Sequence, residues 1–217
     1  MKLSYLLLIL FLTSCIGIPT EYPEIEYYSL SHIDIKENKD YLFDYSIKLE
    51  DVNIPSEFES LFILEQKDEN QVEKYIYHRW LNTPDVLYKN YLNSYLAKSN
   101  IFKSILFAEN RSIIPDITIN ANIVDFKANK IDNNVYVIIN FVVTKNNQDN
   151  SAEIILNKNY EHRVERENNK IRNIPVAYNK AINMITNSFI NDLINSIKWS
   201  NDFILKKLVL LMTMLKN

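Results

Sequence analysis

The chain has 217 residues, of which 47% are hydrophobic and 24% are charged, and this composition is sufficient for one globular domain with an apolar core. Its one glycine, Gly17, lies near the amino terminus, which excludes glycine-rich phosphate loops, dinucleotide-binding fingerprints and nucleophile elbows from the rest of the chain. The single cysteine excludes disulfide frameworks and multi-thiolate metal sites, and a net charge of -3 with interspersed signs argues against nucleic acid as a partner.

The first 15 residues are typical of an exported lipoprotein. Lys2 is followed by an apolar stretch of about ten residues, which is shorter than the roughly 20 that a membrane span requires. The stretch ends in Leu-Thr-Ser-Cys, which resembles the bacterial lipobox, in which the cysteine is lipidated and becomes the new amino terminus. We therefore predict a signal peptide over residues 1–14, lipidation of Cys15, and an extended tether over residues 15–40. The alternative is a cysteine that merely ends an apolar segment.

The body of the chain begins with strand patterns and one helix pattern. Residues 45–52, 60–66 and 72–78 alternate weakly between apolar and polar residues, which indicates short strands. Thr83 and Pro84 then predict a helix start, with Thr83 as the cap and Pro84 in the first turn. An apolar stripe, which includes Leu87, Tyr91 and Tyr95, extends this helix to Ala97.

The second half has the stronger patterns. Residues 117–123 and 135–143 alternate strictly and predict half-buried strands, and a third strand over 151–166 completes an antiparallel meander. Because glycine is absent here, we expect asparagine and aspartate within residues 146–150 to take the positive-φ turn positions. A second helix is predicted over 176–199. The predicted fold class is α+β, with an antiparallel sheet packed against two main helices in a single domain over residues 41–199.

For the carboxyl-terminal segment, residues 200–217, the sequence predicts an apolar helical extension. Residues 203–215 are apolar apart from Lys206, Lys207 and Thr213, and they are too few to cross a bilayer. Two interpretations stay open: the last helix continues and packs on the domain or a second subunit, or the segment binds a membrane surface or partner.

Nothing in the pattern points to catalysis, a metal or a cofactor. The three histidines, His32, His78 and His162, are far apart and form no metal-binding motif. The charged cluster over residues 161–167 alternates in sign, which is typical of a solvated strand face with cross-strand ion pairs. We therefore expect no catalytic residue, no metal ligand, no cofactor and no enzymatic activity.

A family resemblance rests on the order of several short motifs. After the lipobox come Tyr27-Tyr28-Ser29-Leu30, a strand over 47–55, and Arg79-Trp80 followed by Pro84 and a helix. Phe102 then opens the next strand pattern. Together these features, over about residues 15–198, resemble the ABC-type transport auxiliary lipoprotein family, which includes the lipoprotein component of the paraquat-inducible transport systems. Family members commonly have glycines in their loops, and the segment after Ser200 has no counterpart in the pattern.

The resemblance implies a non-catalytic accessory lipoprotein of an ABC-type transport system that works with mammalian-cell-entry-type proteins on lipids or hydrophobic compounds. The expected partners are a membrane through the lipid anchor, a mammalian-cell-entry-domain protein, and the permease and ATPase. Self-association stays open. The expected location is the periplasmic side of a Gram-negative-type envelope, and Ile16 after the cysteine favours the outer membrane. A structural lipopolysaccharide-assembly lipoprotein is the alternative. The motif residues expected to serve structure or an interface are Tyr27, Tyr28, Leu30, Arg79 and Trp80.

Overall fold

The computed structural model describes residues 23–31, 35, 37–107, 113–147 and 151–214, with side chains as far as Ser200. These residues form one α+β domain in which two helices cover one face of an eight-stranded sheet. The strands are β1 (Glu26–Tyr28), β2 (Phe43–Leu49), β3 (Phe62–Gln66), β4 (Val72–Trp80), β5 (Phe102–Leu106), β6 (Ile117–Asn129), β7 (Asn134–Asn146) and β8 (Ala152–Glu165). The helices are α1 (Pro84–Ser99) and α2 (Asn173–Met214).

The sheet is mixed, which corrects the prediction of an antiparallel sheet. The meander β6–β7–β8 is antiparallel, as is the β3–β4 pair. Four other pairs are parallel, namely β1–β4, β2–β5, β2–β6 and β3–β6. Alternation of apolar residues reports which side chains face the core, and it is the same for both strand orientations. Parallel neighbours require a long connection, and here α1 and intervening strands provide those connections.

Strand β6 organises the sheet because it has different neighbours along its two edges. One edge pairs with β7 along nearly its whole length. On the other edge, β2 pairs with the first residues of β6, and β3 pairs with its last two residues. The isolated bridge between Asn53 and Asn122 lies between these two regions. The sheet therefore branches at β6, with β2–β5 at one end and β3–β4–β1 at the other.

The core lies between the meander and the helices. Alternate residues of β6 and β7 are buried, and so is the apolar stripe of α2. Phe141 of β7 stacks on Phe189 of α2, with 3.8 Å between the ring centroids. Burying each of these large side chains stabilises the fold by about 2 kcal/mol, so the contact of α2 with the sheet contributes strongly to the hydrophobic driving force.

Helix α1 is tied to α2 through tyrosine hydroxyls on its buried stripe. Tyr91 donates to Asn183 Oδ1 at 2.7 Å and Tyr95 donates to Asn187 Oδ1 at 3.0 Å. Pro84 occupies the first turn, but the Thr83 side chain makes no capping hydrogen bond, contrary to the sequence prediction. Its backbone carbonyl instead accepts from the N–H of Leu87 at 2.9 Å.

Positive φ angles occur at Asn100 and Asn133 among the residues described. Asn100 ends α1 in the left-handed conformation, and Asn133 lies in the turn between β6 and β7. Asparagine adopts this conformation at lower cost than most other residues, so it replaces glycine here. The expected turn at residues 146–150 shows no positive φ at its first two residues, and residues 148–150 lie outside the described ranges.

Helix α2 continues without interruption through the predicted extension to Met214. Its 42 residues give a helix about 60 Å long at the usual rise per residue. In the part of the chain that is described, neither helix contains an apolar stretch that meets the requirements of a membrane span.

Candidate functional site

The two aromatic motifs of the sequence, Tyr27-Tyr28 and Arg79-Trp80, are 52 residues apart and lie side by side on the edge of the sheet. Strand β1 pairs with the end of β4 in parallel, so that Tyr27 is opposite Arg79 and Tyr28 is opposite Trp80. The N–H of Leu81 also donates to the carbonyl of Tyr28 at 2.8 Å. Residues 26–28 lie inside the tether predicted over residues 15–40, yet they are held on the sheet of the domain by backbone pairing.

Trp80 belongs to the core. Its side chain is only 2% exposed, and its ring lies 5.6 Å from that of Tyr178 and 6.0 Å from that of Phe126. The rings of Phe126 and Tyr178 are themselves stacked at 4.0 Å. This aromatic cluster joins β4, β6 and α2.

Arg79 stabilises an irregularity in β4. The pairing with β3 shifts between Ile63, opposite Tyr75, and Phe62, opposite Arg79, so the intervening residues of β4 bulge out. The guanidinium lies 4.7 Å from the centre of the Phe62 ring, and Nε donates to the Ile76 carbonyl at 2.9 Å. Arg79 thus closes the bulge through a cation–π contact and a hydrogen bond.

A polar cluster around Glu26 lies on the same edge. Its carboxylate accepts hydrogen bonds from Arg172 and from the hydroxyl of Tyr28, and His78 Nδ1 lies 3.3 Å away. The bond from Arg172, followed by that from Tyr28, lowers the pKa of Glu26 to about 2. Burial, followed by the bond to Glu26, raises the pKa of Tyr28 to about 12. The cluster links β1, β4 and the segment that precedes α2.

This cluster borders an open cleft of about 650 Å³. Its walls come from the start of β1, the bulge of β4 and residues 169–172. The cleft contains apolar surface beside ionic groups that are already paired with each other. Its lining residues include Pro23, Glu24, Tyr77, His78 and Ile171.

Leu30 and Ser31 continue the attachment onto α2. Leu30 packs partly buried against the core. The backbone N–H of Ser31 donates to Asn179 Oδ1 at 2.8 Å, and its carbonyl accepts from Asn183 Nδ2 at 3.3 Å. The first motif is therefore bound to both the sheet and the long helix.

The remaining sequence candidates are dispersed. Cys15 and His32 lie outside the described residues. His162 is on β8, opposite Val137 and remote in the sheet from His78 on β4. The residues described contain no group of three or more His, Cys, Asp or Glu side chains arranged to hold a metal ion.

The charged cluster over residues 161–167 is not solvated throughout, which corrects the sequence interpretation. The side chain of Arg166 is fully buried and pairs with Glu65 of β3 at 2.6 Å, while Tyr75 also donates to Glu65. Sequence reasoning missed this pair, and also the Glu26–Arg172 pair, because each joins distant segments. No local signal marks Arg166, because β8, which it follows, is mostly exposed.

Comparisons with known proteins identify the fold. No family model and no curated protein matches the sequence. The Xanthomonas campestris protein XCC0632, of the DUF330 family, has a similar structure with a TM-score of 0.69 at 8% identity, over 82% of this chain and 99% of that one. A crystal structure of an uncharacterized protein is similar with a TM-score of 0.57 at 13% identity, over 79% and 99% of the two chains. At these identities the similarity shows that the chains share a fold.

Proposed function

We propose that this chain is a lipid-anchored, non-catalytic accessory subunit of an ABC-type transport system linked to mammalian-cell-entry-type proteins. In this proposal Cys15 carries the anchor in the envelope of a Gram-negative-type bacterium, with the outer membrane favoured. The domain faces the periplasm and serves the movement of lipids or hydrophobic compounds between membranes.

The observation that carries the proposal is the pairing of the two family-like motifs. Tyr27-Tyr28 and Arg79-Trp80 support the resemblance as separate sequence motifs, and in the fold they form one unit in continuous register. A shared structural role accounts for their joint occurrence, because β1 would lose its hydrogen-bonded neighbour without the end of β4.

The exposed side of this edge supports a contact surface for a partner. Tyr27 is 57% exposed although its neighbour Tyr28 is largely covered. Exposed apolar side chains grouped around one sheet edge are typical of interaction sites. Those on or next to β1 and β4 are Ile25, Tyr27, Ile76, Tyr77 and Leu81.

The Glu26 cluster supports a structural role rather than a catalytic one. Its carboxylate is held by Arg172 and Tyr28, and its lowered pKa makes it a weak proton acceptor at neutral pH. In such a cluster the charges stabilise the attachment of β1.

Recovery of the native complex tests the function. The full-length protein is crosslinked in its membrane, purified, and its partners are identified by mass spectrometry. We expect an ATPase, a permease and a mammalian-cell-entry-domain protein, and we expect Cys15→Ser to abolish both lipidation and this recovery. Lipopolysaccharide-assembly components in their place would support the alternative and contradict the proposal.

A matched pair of tyrosine variants tests the contact surface. Tyr27→Ala should reduce recovery of the partners without lowering the melting temperature, because its ring is mostly in solvent. Tyr41→Ala is the control, since Tyr41 is 49% exposed and precedes β2, near β5 at the other end of the sheet. Equal recovery of partners by the two variants would show that the β1 edge is not the contact surface.

A further inference from the structure

A second cleft opens where β3 and β6 diverge. These strands pair only through Glu65 with Ala128 and Gln66 with Asn129, so the earlier part of β3 has no neighbour on β6. The turn over residues 55–58 lies over the gap, held by a hydrogen bond from the N–H of Phe58 to the carbonyl of Pro55 at 2.9 Å. The resulting cleft has a volume of about 440 Å³, which is within the usual range for small-molecule sites.

The cleft is apolar and reaches toward the core. Phe58, Phe126 and Ala128 are buried in its walls, while Val72 at its mouth is exposed. A smaller cavity shares Phe58, Leu64 and Phe126 with it. Trp80 and Tyr178 also line that cavity, and both are almost fully buried. That cavity has a volume of only about 10 Å³, which is too small for an alkyl chain, so the aromatic cluster closes the inner side of the cleft. The apolar wall of the cleft itself is the surface that an alkyl chain could cover.

The mouth of the cleft is acidic. Glu57 and Glu69 line it, and within the part of the chain that the structure describes neither forms an ion pair. Lys127, the basic residue of the lining, is paired with Asp125 at 3.1 Å, so its charge is balanced. Its Nζ also lies 5.9 Å from the centre of the Phe58 ring, so the face of this ring is next to the chain's own ammonium group. The remaining charge at the mouth would repel a carboxylate head and attract a cationic one.

We propose that this cleft binds a single-chain amphiphile with a cationic head. The alkyl chain lies against Leu64, Phe126 and Ala128, and the head lies beside Glu57 and Glu69. This binding activity goes beyond the proposed accessory role and does not depend on it.

Tryptophan fluorescence tests the proposal, because the Trp80 ring lies behind the cleft wall, 6.0 Å from the ring of Phe126 that lines the cleft. Trp199 is 70% exposed, so Trp199→Phe leaves Trp80 as the single indole reporter. Dodecyltrimethylammonium and dodecanoate, which have the same alkyl length, are titrated below their micelle concentrations. We expect a saturable change with the cationic probe and binding about tenfold weaker with dodecanoate. No saturable change, or equal affinity for the two probes, would overturn the proposal.

Charge variants test the head-group site without altering the core. Glu57→Gln combined with Glu69→Gln should weaken binding of the cationic probe about threefold to tenfold and leave dodecanoate no weaker. The control combines Glu153→Gln with Glu165→Gln on β8, which removes the same charge from exposed positions elsewhere. An equal loss in both double variants would show a general effect of net charge and would refute the assigned site.

Discussion

At the scale of single residues, Trp80 belongs both to the motif that pairs with β1 and to the apolar core. Its backbone pairs with β1, whereas its indole ring fills the space between Phe126 and Tyr178. The backbone attachment of the amino-terminal segment therefore depends on a side chain that also holds β4, β6 and α2 together.

Replacing Trp80 by alanine should lower the free energy of unfolding by about 3–5 kcal/mol, because a large buried ring is lost and a cavity remains. Urea denaturation measures the change. Trp199→Ala is the control, and at 70% exposure it should cost less than about 0.5 kcal/mol. An unchanged midpoint for Trp80→Ala, together with loss of partner recovery, would assign Trp80 to an interface.

Glu26 gives the domain a defined dependence on pH. Its pKa is about 2 in the fold against an ordinary value of 4.5, so the folded chain binds fewer protons at this group than the unfolded chain. The stabilisation by ionised Glu26 is therefore present above about pH 4.5 and is lost as the pH falls toward 2. The difference in unfolding free energy between wild type and Glu26→Gln should be largest near neutral pH and should shrink over this interval.

Arg172→Ala provides the control for this pH effect. Removing the guanidinium that contributes most to the shift should raise the pKa of Glu26 toward its ordinary range, which carboxyl-carbon NMR can follow. If the difference in unfolding free energy between wild type and Glu26→Gln stays constant from pH 7 to pH 2, Glu26 does not act through its charge.

At the scale of elements, the end of β8 is locked to β3 and to the turn between β6 and β7. Arg166 pairs with Glu65, its N–H donates to the carbonyl of Asn133 at 2.8 Å, and Nη2 donates to that of Asn129 at 3.3 Å. Since both charged side chains are almost completely buried, each depends on the other for compensation.

Arg166→Met should cost about 3–5 kcal/mol because it leaves the Glu65 carboxylate buried without its cation. Glu65→Leu should be similarly costly, and the double variant should be less destabilised than the sum of the single variants. Chemical denaturation of the four proteins measures the coupling. Additive costs would show that the ion pair contributes nothing beyond packing.

At the scale of the whole molecule, α2 extends beyond the part of the core that the structure describes. The last core side chains of the helix are Leu193 and Ile197, and Ser200 is the last buried residue described. The helix nevertheless continues to Met214. The core that the structure describes therefore ends at Ser200, before the apolar segment over residues 203–215 begins.

Truncation after Ser200 should leave the melting temperature within about 2 °C of the full chain, because the described core is retained. It should also reduce crosslinked recovery of a second subunit or transport partner, since large apolar residues rarely stay in solvent without a partner. Outright unfolding would assign the segment to the domain's own core, and undiminished recovery would refute its role in assembly.

The sequence alone determined the α+β class, the meander and both helices, because these depend on local periodicity. Two local patterns indicate which side chains are buried: the strict alternation over residues 117–123 and 135–143, and the apolar stripe of α2. These side chains are buried in the structure. Pro84 likewise marked the start of α1, because its fixed φ suits a first turn.

Only the tertiary structure decided the orientation of the strands, the pairing of the Tyr27-Tyr28 and Arg79-Trp80 motifs, and the buried ion pair. Parallel pairing of β1 with β4 and of β2 with β6 depends on long connections, and alternation carries no information about direction. Glu65 and Arg166 are 101 positions apart in the sequence, and Glu26 and Arg172 are 146 apart. Their attraction acts over a few ångströms, so it specifies a pair only after the fold has brought the partners together.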